Sequence, residues 1–291
     1  MAKEIDIKTA KTLLPERIQD SNKSTYGKIL NIAGSKFYQG AAYLSSISAL
    51  KSGAGYVMLA CPDCILDNIA SKSADITFLP LRSFKNESIA SDNDSIILEK
   101  IKEFDIIAMG CGLSTTSSTI EFVGKFLQKN KSDKPLIIDA DGLNAISALG
   151  INKLNKNCII TPHPKELSRL LEVELKDINE NREKFALKAS EKFGCITLLK
   201  GLNTLITDGN EIFINKTGCS GLAKAGSGDV LTGIIAGLCA QKVPLVEAAA
   251  LGAYIHGLLA DMAKEDFSEY SILASDLINY VPKVIKKILN Q

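Results

Sequence analysis

The sequence carries almost no charge of one sign in excess: 34 Lys and Arg stand against 33 Asp and Glu over 291 residues, a net of +1. Gripping nucleic acid or an anionic membrane rests on summed positive potential, so the balance argues against both and leaves room only for a local basic patch. Long uncharged apolar runs are also missing. The nearest, 230–240 and 248–260, fall short of a bilayer span. The first twenty residues interleave charges with apolar residues and have no signal-peptide core, so a soluble cytoplasmic protein is expected. Nor is there a paired cysteine set. The seven cysteines are an odd number scattered through apolar runs, which suits free thiols in a reducing compartment. Cys61-Pro62-Asp63-Cys64 has dithiol spacing. Without a second pair to complete a zinc site, and in a chain far longer than a thioredoxin-like unit, it reads as a coincidence at a strand-to-helix turn.

What is present is an alternation of short apolar and longer amphipathic segments, the pattern of βα units and a mainly parallel sheet. Strands are expected at 28–33, 55–60, 75–79, 106–109, 136–139, 158–161 and 195–200, and helices at 41–52, 117–129, 143–147, 164–171 and 181–193. Two alternating segments, 203–207 and 211–215, flank Asp208-Gly209-Asn210 and predict a hairpin. Helices should then run over 228–240, 245–263 and 275–290. The last would be capped by Ser275 and Asp276 and end in Lys283, Lys286 and Lys287. The polar stretch 83–94 reads as a surface loop. No repeat, low-complexity tract or Pro- or Gly-rich linker divides the chain, so one α/β domain over 1–291 is expected.

The densest chemical signal is the small-residue run from Lys216 to Gly233, which enters a strongly apolar helix. Gly226, Ser227 and Gly228 can bring backbone N–H groups close to a phosphate or developing oxyanion, with the helix dipole adding positive potential. Asp229 then sits beside that anion site. A carboxylate there is either an ordinary first-turn residue or a base that takes a hydroxyl proton during phosphoryl transfer. There is no P-loop, and Gly110-Cys111-Gly112 lacks the third glycine of a dinucleotide fingerprint. Three further polar clusters follow strands: Asp139-Ala140-Asp141-Gly142-Leu143-Asn144, Thr161-Pro162-His163-Pro164-Lys165-Glu166, and Lys200-Gly201-Leu202-Asn203-Thr204. Ligands in open α/β sheets bind at the carboxyl edge of the strands, so these could converge. Asp139 and Glu166 suit Mg²⁺ held through water, and Lys200 suits a phosphate. His163 lies in a loop between prolines, whereas His256, on an apolar helix, reads as a core or interface histidine.

Taken together these segments resemble a known family. The Gly226-Ser227-Gly228-Asp229 turn is similar to the anion hole of the ribokinase-like superfamily. The set also includes Tyr26-Gly27-Lys28 to Ser35, Gly40-Ala41-Ala42, Ser52-Gly53-Ala54-Gly55, Gly110-Cys111-Gly112-Leu113 and the three polar clusters. In this order it resembles the ADP/ATP-dependent NAD(P)H-hydrate dehydratases from about Leu14 to the C-terminal helix. The resemblance implies a three-layer αβα sandwich and a repair reaction. The ring hydroxyl of hydrated NADH or NADPH would be phosphorylated by ADP or ATP with Mg²⁺, and phosphate then eliminated. It further implies Asp229 as base, with Gly226, Ser227 and Gly228 on the phosphoryl group. Lys200, Gly201, Leu202, Asn203, Thr204 and Gly228 would bind nucleotide. Ala41, Gly112, His163 and Asp229 would bind the hydrated dinucleotide, and Asp139 and Glu166 would serve the metal. The resemblance also implies a homotetramer, and a separate epimerase or spontaneous epimerisation is expected, because the chain has no space for the N-terminal epimerase domain of many relatives. Ala225 stands where the family usually has glycine, which would disturb the turn if that position needs positive φ. A vitamin or sugar kinase of the same superfamily and a catalytically silent nucleotide-binding protein are the competing readings.

Overall fold

Segments such as Leu136-Ile137-Ile138 have no polar face because the strands they form are covered on both sides. In the computed structural model, which describes residues 2–291, twelve strands and twelve α-helices follow one another. The strands are β1 (Lys3–Glu4), β2 (Lys28–Ile32), β3 (Tyr56–Pro62), β4 (Thr77–Leu81), β5 (Ser83–Phe84), β6 (Ser88–Ile89), β7 (Ile106–Met109), β8 (Leu136–Ile138), β9 (Cys158–Ile160), β10 (Ile196–Leu199), β11 (Thr204–Thr207) and β12 (Ile212–Asn215). The helices are α1 (Ile7–Leu13), α2 (Gln39–Lys51), α3 (Leu66–Ala70), α4 (Asp94–Lys100), α5 (Ser117–Lys129), α6 (Asp141–Ala148), α7 (Pro164–Leu171), α8 (Leu175–Glu180), α9 (Arg182–Phe193), α10 (Ser227–Ala240), α11 (Leu245–Asp266) and α12 (Ala274–Leu289).

Ten strands form one sheet in the order β1-β12-β11-β10-β9-β8-β7-β2-β3-β4. From β10 to β4 every pairing is parallel, and only β11 runs against its neighbours. Alternate residues go to opposite faces of each strand. Ile137, Ile159 and Leu198 therefore join the core under α2, α10, α11 and α12, while Leu136, Ile138, Cys158 and Ile160 join the core under α5, α7 and α9. The result is the expected three-layer α/β sandwich with helices on both faces. Each fully buried Ile or Leu adds roughly 1.5–3 kcal/mol of transfer free energy, so the two cores dominate the favourable side of folding. α11 is long and apolar enough to cross a membrane, but it is buried against the sheet and serves as a core helix.

α10 carries the Asp229 turn, and its position is set by close approach to α2. A Cβ added at Gly233 would lie 2.2 Å from the Ser45 carbonyl oxygen, and one at Gly237 2.6 Å from that of Ala49. No side chain fits between the two backbones there. The small residues Ser45, Ser48 and Ala49 on α2 are the complement.

Two expectations are corrected. The stretch 83–94 is not a surface loop: β5 and β6 pair as a small hairpin, and Ser88, Ile89, Ala90, Asn93 and Asp94 are buried. Its polar residues go inside because each finds a partner. Asn93 bonds the backbone of Arg82 and Ala90, and Asp94 meets Lys129 at 2.7 Å. The last helix begins one residue earlier than expected, with Leu273 at the N-cap and Asp276 inside the first turn, accepting from the Leu273 N–H at 2.9 Å. All seven cysteines are free, and burial pushes the Cys61 thiol up to about 12, which suits the structural reading of Cys61 and Cys64.

Candidate active site

Parallel strands deliver their carboxyl ends to one edge, and backbone bonds tie neighbouring ends together. The Gly34 N–H donates to the Cys111 carbonyl, Asp139 N–H to Met109, and Lys200 N–H to Pro162, at 2.9, 3.1 and 2.9 Å. Side chains far apart in sequence thereby meet above β7, β8, β9 and β10.

Lys200, at the end of β10, is the hub. Its Nζ donates to Asp139 Oδ1 at 2.7 Å and lies 3.8 Å from Glu166 Oε2. The other Asp139 oxygen accepts from the Thr232 hydroxyl at 2.7 Å, one turn into α10. Burial alone would push the Asp139 carboxyl up, but the Lys200 ammonium and the hydrogen bonds hold it below the ordinary range. Burial dominates at Glu166 and raises it, and at Lys200 the two carboxylates outweigh burial so that the ammonium keeps its proton. Asp139 and Glu166 were the expected Mg²⁺ carboxylates. Both Asp139 oxygens and Glu166 Oε2 are engaged by Lys200, Thr232 and the His163 N–H, so the pair holds the Lys200 ammonium directly and the expected contact with Mg²⁺ would be made through water. Among the described residues no group of three His, Cys, Asp or Glu is positioned to hold a metal.

The small-residue turn enters α10 as the sequence predicts. Gly226 is its N-cap at φ +92°, a left-handed conformation that glycine adopts without the Cβ penalty. Ala225 is not among the residues at positive φ, so the substitution of alanine at 225 leaves the turn intact. Gly228 faces the Lys200 ammonium, which would stand 3.4 Å from a Cβ there. Asp229 follows in the first turn. Burial, reinforced by the Asp139 charge, pushes its carboxyl up to about 6, while the Cys111 thiol beside it works in the opposite direction.

A cavity of about 750 Å³ opens beside this turn. Its lining includes Lys200, Gly201, Leu202, Asn203 and Thr204 together with Ser227, Gly228 and His163, so the expected nucleotide-binding residues share one space with part of the anion turn. His163 is the N-cap of α7. Its Nδ1 accepts from the Lys165 and Glu166 N–H groups, both at 3.1 Å, which puts the proton of the neutral ring on Nε2. Ala41 and Gly112 lie outside this lining and against each other, since a Cβ at Gly112 would come within 2.8 Å of the Ala41 Cβ. Asp229 connects the two sets through its contact with Cys111, the residue before Gly112.

Two participants were not anticipated. Thr232 is three residues beyond Asp229 on the same helix face, a spacing that could have pointed to it. His256 is buried, yet it lines the cavity, and its Nε2 is 3.0 Å from Ser227 Oγ. The signal was the lone imidazole within the apolar run 248–260, because a buried polar group needs a partner.

The chain matches the family model of NAD(P)H-hydrate dehydratase over residues 29–283. It is 36% identical over 255 residues to an ADP-dependent (S)-NAD(P)H-hydrate dehydratase of Neisseria meningitidis, covering 86% of this chain and 81% of that protein. It is 38% identical over 280 residues to a bifunctional NAD(P)H-hydrate repair enzyme of Moorella thermoacetica, covering 94% of this chain and 52% of the relative. The chain thus spans about half the length of the bifunctional relatives it matches. Among solved structures, an ADP/ATP-dependent NAD(P)H-hydrate dehydratase from Bacillus subtilis, co-crystallised with ATP/Mg²⁺, superposes with a TM-score of 0.84 at 28% identity and 99% coverage of both chains.

Proposed function

Because the chain belongs to the NAD(P)H-hydrate dehydratase family, we propose that it returns hydrated NADH or NADPH to the reduced cofactor at the expense of ADP or ATP. The observation that carries this reading is Asp229. It is a partly buried carboxyl raised to about 6, seated in the first turn of a helix whose N-terminus borders a nucleotide-sized cavity. A carboxylate beside an anion site gains nothing for stability. It gains a role when a hydroxyl proton must leave as an O–P bond forms.

In this reading the nucleotide occupies the cavity along Lys200, Gly201, Leu202, Asn203 and Thr204, and its terminal phosphoryl group rests on the N–H groups of Gly228 and Asp229 and the Ser227 hydroxyl. Gly226 shapes that turn. The nicotinamide end lies toward Ala41 and Gly112, and His163, on the wall of the nucleotide cavity, offers its Nε2–H to the dinucleotide as a donor. Asp229 takes the ring hydroxyl proton while the oxygen attacks phosphorus and the nucleotide leaves one phosphate shorter. Phosphate then departs from the ring with loss of a neighbouring ring proton, and the double bond is restored. Asp139 and Glu166 fix Lys200, and through water they would face a Mg²⁺ ion carried on the nucleotide's phosphates. The greater length of the bifunctional relatives supports a functional link to an epimerase activity.

The test is to incubate the protein with hydrated NADH, Mg²⁺ and ADP or ATP, following reduced-nicotinamide absorbance and free phosphate. One phosphate per NADH recovered is expected. No recovery with either nucleotide would remove the dehydratase reading, and a stable phosphorylated product would favour a kinase.

A further inference from the structure

Ser227 is the first residue of α10, and its backbone N–H is directed at the Lys224 carbonyl at 3.3 Å. What it can offer an anion is therefore its hydroxyl. That hydroxyl has one proton and two lone pairs, and its usefulness depends on which of these faces the cavity. The neighbour that decides is His256, from the middle of α11. Both side chains are more than nine-tenths buried, both line the cavity, and Nε2 stands 3.0 Å from Oγ. The ring is uncharged at neutral pH, because burial, with a smaller contribution from Lys200, lowers its affinity for a second proton to about 4. A neutral imidazole has one donor and one acceptor nitrogen. The nitrogen turned toward Ser227 is Nε2, and only if it carries the ring proton is the serine's own proton left free for the cavity.

We infer that His256 is a positioning residue, whose Nε2–H donates to Ser227 Oγ and thereby turns the serine's own proton into the anion site. With one lone pair occupied by the imidazole, the hydroxyl is left as a preset donor for the transferring phosphoryl group, beside the unpartnered first-turn N–H groups of Gly228 and Asp229. Without the imidazole the hydroxyl rotates freely and must be ordered during the reaction. The role belongs to the phosphoryl-transfer step and rests on the dehydratase reading, but the hydrogen bond itself is a property of the protein without ligands.

The bond is tested first, independently of turnover, by long-range ¹H–¹⁵N spectra of protein labelled at histidine. The chain has only two histidines, so the signals lost in His256→Gln identify the ring. The Nε2–H tautomer is expected; the Nδ1–H tautomer overturns the proposal. The role is tested by a mutant cycle. Ser227→Ala and His256→Ala should each lower kcat, up to about 10²-fold, with KM for ADP nearly unchanged. The double variant should be no slower than Ser227→Ala alone, and His256→Gln, whose amide can donate, should recover part of the loss. A packing role for His256 predicts instead that its removal slows Ser227→Ala by a further independent factor, and direct nucleotide contact predicts a raised KM with kcat intact. Either result overturns the inference. Wild-type protein without turnover would sink the dehydratase reading while the tautomer still reports on the bond.

Discussion

At the scale of single residues, Asp229 sets a conflict between stability and chemistry that one substitution can expose. Folding raises its pKa from 3.8 to about 6. The folded state therefore binds this proton more tightly than the unfolded one, stability falls as pH rises through that window, and the full cost is borne at pH 7. Asp229→Asn removes the buried charge. Its expected outcome is a gain of about 1–3 kcal/mol at pH 7 that shrinks toward zero near pH 4, together with loss of nearly all turnover and ADP binding close to that of the wild type. Denaturant unfolding at the two pH values and a binding titration check the three parts. The same carboxyl gives the wild-type pH profile its acid limb. The base form is needed, so kcat/KM should fall tenfold per unit below pH about 6. A profile flat down to pH 5 would take Asp229 out of the proton transfer.

At the scale of elements, the site depends on how far α10 can approach the rest of the fold. Asp229 and Thr232 ride on that helix, and its contact with α2 is backbone against backbone at Gly233. Gly233→Ala would place a methyl 2.2 Å from the Ser45 carbonyl oxygen, so the helices must separate. The expected cost is about 1–3 kcal/mol. Turnover should fall further than the folded fraction does, because the shift moves Asp229 relative to Lys200. Thermal unfolding, with kcat measured well below Tm, separates the two effects. The elements show what a sequence exposes. Periodicity marked the sheet strands from β2 to β12 and the long helices because one or both faces of each are apolar. The short β1, α1, α3, α4 and α8 escaped because two to seven residues are too few to show a period, and the β5–β6 segment escaped because its burial rests on polar partners such as Asn93 with Arg82, which no local pattern encodes. The site followed the same division. Lys200, Asp139, Glu166, Ser227 and Asp229 stood at strand ends or in the glycine turn, where pattern has meaning. Thr232 and His256 sit in helix interiors, where spacing and a lone imidazole single them out but only the stacking of the layers names their partners, Asp139 and Ser227.

At the scale of the whole molecule, the near-zero net charge and the single carboxyl edge have a joint consequence for stereochemistry. On the proposed reading, a polyanionic nucleotide and a dinucleotide would be held without a global positive field, by one largely buried ammonium and the N-terminus of one helix. Both groups are fixed: Lys200 by Asp139 and Glu166, and α10 by its contact with α2. The expected nucleotide residues line one cavity, whereas Ala41 and Gly112 lie outside it, and the Asp229 carboxylate stands between the two sets. A ring hydroxyl can meet the base and the phosphoryl group together only when it projects from one face of the nicotinamide, since the other epimer would direct it away from both. Given a mixture of the two hydrate epimers, this 291-residue chain should restore NADH in two phases. The first should scale with enzyme concentration and stop at the fraction of one epimer. The second should run at the rate of spontaneous epimerisation whatever the amount of enzyme, and only an added epimerase should accelerate it. Recovery of the whole mixture in one phase proportional to enzyme would mean that the base and the phosphoryl group are less rigidly placed than the Lys200 cluster and the α2–α10 contact require.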